Sequence, residues 1–254
     1  MVPHDHEAMM ETGKRAYAGL CRLDDLFNKL LAMRIVDRGG SSHRHTSMNV
    51  LLSMARSLLS GMKSMWGSGA GYAHQVVLRA LWEYYLDFET IRRTGDESEA
   101  ERWLAFGDIQ RWNKALKTRR ARKKLGLAPS APAEELLTDT TAEDALTQAI
   151  DRLWPGQSVE KIATWNCKSV RVRAEDLGAA RAIEYVEAYG LLSWASHGSS
   201  AGSVGVSREY LDSVSAYCIL HFLSVMLEMT RSYLVEVGLT DEEARVAADV
   251  ARYL

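Results

Sequence analysis

Apolar residues recur along most of the chain at intervals of three and four, the period of a helix that buries one face. Leu20, Leu23, Phe27 and Leu30 form the first such series. Comparable series predict long helices over about residues 7–33, 47–66, 71–93, 98–125, 181–196, 207–237 and 240–254. Ser207 is predicted to cap the helix that begins there. Since no stretch alternates apolar and polar residues with a period of two, we predict no β-sheet and an all-α fold.

Proline, glycine and short polar stretches separate the helical segments. The clearest break is residues 127–141, which contain Pro129 and Pro132 and are predicted to form a linker or mobile loop. Short helices are expected over about residues 142–178. Long helices joined by short loops pack side by side. We therefore predict a single domain over residues 1–254, an antiparallel helical bundle of about seven to nine helices in which 142–178 is a small insertion.

The composition is that of an ordinary globular protein. The chain has 254 residues, of which 47% are hydrophobic, enough to bury a large core without disulfide or metal support. Cys21, Cys167 and Cys218 form no Cys-x-x-Cys pair and indicate reduced thiols. A formal net charge of −2 gives no general attraction to nucleic acid or membranes.

The longest apolar run is residues 217–227, interrupted by His221 and Ser224. It is shorter than the roughly 20 residues that cross a bilayer, so we interpret it as part of a buried helix. The first residues are polar and lack the apolar core of a signal peptide. We therefore expect a cytoplasmic protein without a membrane partner.

One candidate site is the pair Arg79 and Glu83, four residues apart and hence on one face of the third predicted helix. Neighbouring Leu81 and Trp82 indicate that the pair is half buried. An arginine in this position can bind a phosphate with its planar fork of donors. Alternatively, the two residues form a structural ion pair that fixes how the helix packs.

A second candidate pair, Ser193 and His197, has the same spacing near the end of a predicted helix. A helix C-terminus favours the protonated imidazole and would raise its pKa, which suits acid–base chemistry near neutral pH. Alternatively, His197 caps its own helix by donating to the last carbonyl groups.

Residues 110–124 carry eight basic residues and no acid. Cations are favourable at a helix C-terminus, so a solvated helix end is one explanation. The other is a nucleic-acid contact in which Trp112 is available for stacking. The residues assigned to that contact are Arg111, Lys114, Lys117, Arg119, Arg120 and Arg122.

Two His-x-His pairs, at residues 4–6 and 43–45, lie outside any predicted strand and far from a cysteine cluster. We predict neither a metal site nor a cofactor. The chain also lacks a Walker loop, a dinucleotide fingerprint, a nucleophile elbow and a His-Glu-x-x-His motif. This disfavours the common NTPases, dehydrogenases, α/β-hydrolases and zincins.

Several short segments occur together in an order that resembles a bacterial and phage family of unknown function. Its hallmarks are an Arg-x3-Glu helix, here at Arg79 and Glu83, and a Ser-x3-His-Gly helix end, here at Ser193 and His197. The likeness covers about residues 47–200. Its segments are 55–58, 78–83, 101–106, 165–170 and 189–198.

That family is similar in turn to the HEPN helical proteins, many of which are toxins or antiviral ribonucleases. The resemblance implies RNA as the substrate, no required metal and a site built across a homodimer. It implies that the catalytic residues are Arg79, Glu83, Ser193 and His197. In such a site histidine acts on the ribose 2′-hydroxyl or the leaving oxygen, while arginine stabilises charge on the phosphorane-like transition state.

The chain departs from the HEPN pattern at one point. HEPN nucleases have an arginine separated from the histidine by four to six residues, whereas Leu192, Leu191 and Gly190 stand five, six and seven residues before His197. Arg38 and His43 have the spacing but are predicted to lie in a loop. The leading hypothesis is a HEPN-like ribonuclease of defence or toxin type. The alternative is a non-enzymatic binding or scaffold protein with a structural Arg–Glu–His cluster.

Overall fold

The structure, a computed structural model, describes residues 6–32, 42–189 and 207–254. These residues form ten α-helices and no β-strand, which confirms the all-α prediction and slightly exceeds the predicted number of helices. A 3₁₀ turn spans Val159–Lys161, and a π-helical turn over Tyr185–Tyr189 directly follows α8. The helices are α1 His6–Ala32, α2 His43–Ser64, α3 Gly71–Thr94, α4 Glu97–Lys124, α5 Ala131–Thr138, α6 Thr140–Leu153, α7 Val170–Asp176, α8 Ala179–Glu184, α9 Arg208–Glu236 and α10 Thr240–Ala251.

The described residues fall into two compact units. Unit 1 contains those up to Arg93 and from Val170 onward, and unit 2 is Thr94–Ser169. The sequence predicted one domain with a small insertion over 142–178. Unit 2 contains the long helix α4, which packs with α5 and α6.

Helix α9 lies at the centre of unit 1, where it packs against α1, α2 and α10. Its N-terminus is capped by Ser207, whose hydroxyl accepts a hydrogen bond from the backbone N–H of Tyr210 at 3.2 Å, as the sequence predicted. Helix α1 approaches α9 closely at Gly13, where an added Cβ would lie 2.5 Å from the Cβ of Ala216. Glycine at this position therefore permits the contact between the two helices.

Among the helices that the structure describes, α9 alone is long and apolar enough to cross a membrane by length and composition. Half of its most apolar stretch is buried inside the molecule. The core helix of a soluble protein meets the same two criteria, so the finding is weak evidence for a membrane span.

Unit 2 has its own apolar core between α4 and α6. Ile109 and Trp112 of α4 contribute from one side, and the remaining members are Leu146, Ile150, Leu153, Trp154 and Ile162. The indole N–H of Trp154 donates to the carbonyl of Trp165 at 3.0 Å and closes the base of this core.

Helix α5 lies inside residues 127–141, so the prediction of a loop is wrong over Ala131–Thr138. Pro132 stands in the first turn of α5, where no backbone N–H donor is needed. Pro132, which suggested a break between helices in the sequence analysis, therefore stands at the start of a helix.

Candidate functional site

The polar side of α3 carries Arg79, Glu83 and Asp87 at intervals of four residues, which places them along one face. The side chains of Arg79 and Glu83 are 21% and 37% exposed. The expected half-buried pair is therefore present, and part of it reaches solvent.

Arg79 and Glu83 share a hydrogen-bond network with Tyr189 of the π-helical turn. The Nε of Arg79 donates to Glu83 Oε1 and to the Tyr189 hydroxyl, both at 3.2 Å. The Tyr189 hydroxyl donates to the same Glu83 oxygen at 2.6 Å. The guanidinium of Arg79 also lies over the Tyr189 ring, 4.9 Å from its centroid. Each group thus fixes the orientation of the other two.

Burial, followed by the hydrogen bond and charge of Glu83, raises the pKa of Tyr189 to about 12. Tyr189 is therefore neutral at physiological pH and remains a hydrogen-bond donor to Glu83. Its ring stacks on Tyr185 with centroids 5.1 Å apart and packs against Trp82 at 5.4 Å. These aromatic contacts hold the hydroxyl in place beneath Arg79.

Several polar atoms of Arg79 and Glu83 make no hydrogen bond to a described residue. The terminal nitrogens Nη1 and Nη2 of Arg79 donate no hydrogen bond to any residue that the structure describes. Within the same described residues, Glu83 Oε2 accepts none. The arrangement therefore offers N–H donors beside a carboxylate oxygen, which can bind an anionic group and accept a proton from it.

One turn along α3, Asp87 forms an ion pair with Arg173 of α7. The two side chains are only 15% and 8% exposed. Burial lowers the pKa of Arg173, while the negative charge of Glu83 opposes this shift. The buried ion pair attaches α7 to α3 behind the more exposed Arg79–Glu83 pair.

Arg181 of α8 forms a second network in unit 1. Its guanidinium donates to both carboxylate oxygens of Glu228 on α9, at 2.9 and 2.7 Å, and to Glu184 at 2.7 Å. The hydroxyl of Tyr85 donates to Glu228 at 2.6 Å, and Arg181 lies over the Tyr85 ring at 4.8 Å. This bidentate network connects α3, α8 and α9.

The sequence interpretation missed Asp87, Arg173 and Tyr189. The four-residue series on α3 contained a signal for Asp87, because it continues the spacing of Arg79 and Glu83. Arg173 and Tyr189 are 86 and 106 positions from their partners Asp87 and Glu83, and no local pattern connects them.

Other predicted site residues are placed differently. Ser193, His197 and Arg38 lie outside the described residues. His43 was expected in a loop, and that prediction is wrong, because His43 is the first residue of α2.

The second His-x-His pair is engaged in contacts within the protein. His45 lies 3.7 Å from a carboxylate oxygen of Glu236, which also pairs with Arg44 at 2.6 Å. In residues 6–32, 42–189 and 207–254, no group of three or more His, Cys, Asp and Glu side chains could hold a metal ion.

Some side chains in the basic run of α4 form ion pairs or hydrogen bonds with other described residues, and others do not. Arg111 pairs with Asp108, Arg119 with Glu134 and Arg120 with Glu160. Arg122 donates to the carbonyl of Ala128. No ion pair within the described part of the chain involves Lys114 or Lys117.

Trp112 does not face solvent as the stacking hypothesis required. Its side chain is 8% exposed and belongs to the apolar core of unit 2. The prediction that Trp112 is available to stack on a base is therefore wrong. The periodicity places it on the buried face of α4, away from the exposed lysines.

Fold and site together define an all-helical protein with a half-buried arginine–glutamate–tyrosine network on its third helix. The chain belongs to a family of unknown function, DUF5677, which matches residues 39–210. The match covers α2 to α8 and thus includes Arg79, Glu83 and Tyr189. No curated protein and no solved structure matches the chain significantly.

Proposed function

We propose that this chain is a cytoplasmic, HEPN-like ribonuclease of defence or toxin type that acts as a homodimer and needs no metal. The observation that supports it is the open chemistry of the Arg79–Glu83 pair. Two terminal guanidinium nitrogens and one carboxylate oxygen have no partner among the described residues, and both side chains reach solvent.

In the proposed reaction, Arg79 binds the scissile phosphate of RNA through Nη1 and Nη2. The ribose 2′-oxygen attacks phosphorus and forms a new P–O bond, while its proton passes to Glu83 Oε2. The bond from phosphorus to the 5′-oxygen breaks, and that oxygen takes a proton from His197, a role that rests on the family resemblance. Arg79 stabilises the charge that accumulates on the phosphorane.

Tyr189 acts as a positioning residue in this proposal. Its hydroxyl accepts from Arg79 Nε and donates to Glu83 Oε1, so that both side chains are held while Nη1, Nη2 and Oε2 make no hydrogen bond to a described residue. A side chain held in advance loses less conformational freedom when the phosphate binds. The neutral state of Tyr189 maintains both hydrogen bonds throughout the physiological pH range.

The test is cleavage of end-labelled tRNA and total RNA by the purified full chain in EDTA. We expect Arg79→Gln to lower the rate by about 10²–10³-fold, the usual effect of removing one charge-stabilising donor group. Glu83→Gln and His197→Ala should each lower it by about 10²–10⁴-fold, as expected for proton-transfer groups. His43→Ala, measured in the same assay, shows whether the histidine at the start of α2 takes part in cleavage.

Arg171 and Glu175 of α7 supply a matched control, because they form an ion pair of the same spacing with side chains 68% and 45% exposed. Arg171→Gln should leave the rate unchanged. The proposal is wrong if the wild type does not cleave, or if Arg79→Gln and Arg171→Gln cleave equally. Substrates with 2′-deoxyribose should resist cleavage, since the attacking hydroxyl is absent.

The alternative is a non-enzymatic binding or scaffold protein in which the same network stabilises the bundle. It is favoured by the mutual hydrogen bonds of Arg79 Nε, Glu83 Oε1 and the Tyr189 hydroxyl. Here Arg79→Ala should destabilise the fold by about 2–3 kcal/mol, because it leaves a half-buried carboxylate without its cation. An unchanged melting temperature of this variant contradicts the scaffold function.

A further inference from the structure

A groove of about 820 Å³ runs along α4 in unit 2, and its lining includes none of the residues assigned to catalysis. One wall is the exposed face of α4, and the opposite wall is the segment around residues 160–163. The charged and amide side chains that line it are Gln110, Asn113, Lys114, Lys117, Arg120 and Glu160.

The opposite wall is attached to α4 at two points. The side-chain amide of Asn113 donates to the carbonyl of Val159 at 2.8 Å. Arg120 donates to Glu160 Oε1 at 2.5 Å, and this hydrogen bond is the main cause of the lowered pKa of Glu160. The groove is therefore formed before any ligand arrives.

The charge of the groove is positive. Arg120 and Glu160 cancel each other, whereas Lys114 and Lys117 make no ion pair within the described part of the chain. Three cations and one anion leave a net charge of +2 on the lining. The two lysines are three residues apart and so lie side by side on the helix surface, both exposed to solvent.

An aromatic residue continues the same face of the helix. Phe106 lines the groove two helical turns before Lys114, about 12 Å along the axis, and Gln110 lies between them. Phe106 packs against the core of unit 2 on its other side, which holds the ring in position. An aromatic ring, an amide and two cations in a row match the alternation of bases and phosphates in a nucleotide strand.

We propose that this groove binds the sugar–phosphate backbone of a single-stranded nucleic acid, with Lys114 and Lys117 on phosphates and Phe106 against a base. The site includes only part of the basic run. Arg111, Arg119 and Arg122 are engaged with protein partners, and Lys123 and Lys124 lie beyond the groove lining. The site does not depend on the proposed ribonuclease reaction, because no residue is shared.

The test is fluorescence anisotropy of a labelled single-stranded 2′-deoxy 12-mer with the full chain, measured from low to physiological salt. A 2′-deoxy strand lacks the attacking hydroxyl, so binding is read without cleavage. We compare the wild type with Lys114→Gln/Lys117→Gln and with Lys123→Gln/Lys124→Gln. Both variants remove two charges from one end of the same helix, but only the first changes the groove.

We expect the groove variant to bind at least tenfold more weakly and its salt slope, log K against log salt, to be smaller by about 1.4, since each phosphate contact of a single strand contributes about 0.7. The control should keep the wild-type slope. Equal losses in both variants, or no binding by the wild type, overturn the proposal.

Glu160→Gln tests the same groove by making its net charge more positive, which should strengthen binding instead of weakening it. It removes the one acid of the lining and releases Arg120 for a phosphate, while Asn113 still holds the opposite wall. Binding should become tighter and the salt slope steeper by about 0.7. Unchanged or weaker binding by a folded Glu160→Gln protein contradicts the assignment of the phosphate to this groove.

Discussion

The two units of the molecule differ in where they keep their charged groups. Every buried polar or charged side chain among the described residues lies in unit 1, including Glu89 at 1% exposure and Arg173 at 7%. In unit 2 the core is apolar, and the charged residues of α4 pair at the surface or reach solvent.

This contrast distinguishes the two candidate sites physically. A buried charge is costly unless it is paired, so the arginines of unit 1 are held in fixed positions by their carboxylates. Such groups are oriented before a substrate binds, as acid–base or charge-stabilising chemistry requires. Lys114 and Lys117 of unit 2 are exposed, and salt screens their charges, which suits reversible contact with an extended anion.

The largest effect is expected when one buried cation of unit 1 is removed, because this tests directly whether the charges of the two units differ in burial. Arg173→Met leaves the carboxylate of Asp87, 15% exposed, without its arginine. We expect a loss of about 3–5 kcal/mol of unfolding free energy, as when one partner of a buried ion pair is removed. Urea unfolding followed by circular dichroism measures it.

Arg119→Met in unit 2 is the control, because Arg119 forms an ion pair with Glu134 in which the two side chains are 40% and 33% exposed. Its cost should stay below about 1 kcal/mol. In unit 1 the double variant Arg173→Met/Asp87→Leu should recover most of the lost stability, since both charges of the buried ion pair are then removed. Equal costs for the two single variants would show that the units do not differ in this respect.

The same contrast explains what the sequence could predict. Helices, the Ser207 cap and the Arg79–Glu83 pair all depend on residues close in sequence, and they were found. Tyr189 and Arg173 complete the site from distant helices, so no local pattern contained them. For α4, the sequence revealed the basic run. It did not reveal that Arg119 would form an ion pair with Glu134 of α5, or Arg120 with Glu160 of the 3₁₀ turn.

A smaller effect is expected from the close contact of α1 and α9. Gly13→Ala places a Cβ 2.5 Å from Ala216 Cβ and 2.9 Å from its Cα, so that backbone must shift. Overpacking of this kind costs about 1–3 kcal/mol. Thermal and urea unfolding of the variant measure the loss.

Gly107→Ala, within α4 of unit 2, is the matched substitution. Apart from the adjacent residues and the backbone of its own helix, no described heavy atom lies within 4 Å of an added Cβ there. Alanine is the better helix former by about 0.5–1 kcal/mol, so this variant should be more stable than the wild type. If Gly13→Ala were also stabilising, α1 and α9 would not be in tight contact in solution.

The smallest effect concerns the pH dependence of the site itself. Below pH 10, Tyr189→Phe should cost about 1 kcal/mol, the usual net value of a hydrogen bond. In the wild type the pKa of Tyr189 is raised to about 12, from about 10 in the unfolded chain. Between these values the folded state keeps a proton that the unfolded state releases, so the contribution of Tyr189 decreases as the pH rises.

The stability difference between the wild type and Tyr189→Phe should therefore narrow from pH 10 to pH 12, as measured by urea unfolding at each pH. The other tyrosines are common to both proteins and cancel in the difference. Tyr210→Phe, at a side chain 50% exposed, serves as the control for loss of a surface hydroxyl. A constant difference for Tyr189→Phe would mean that its hydroxyl is not held between Arg79 and Glu83. The orientation of Nη1, Nη2 and Oε2 on which the proposed reaction depends would then lose its support.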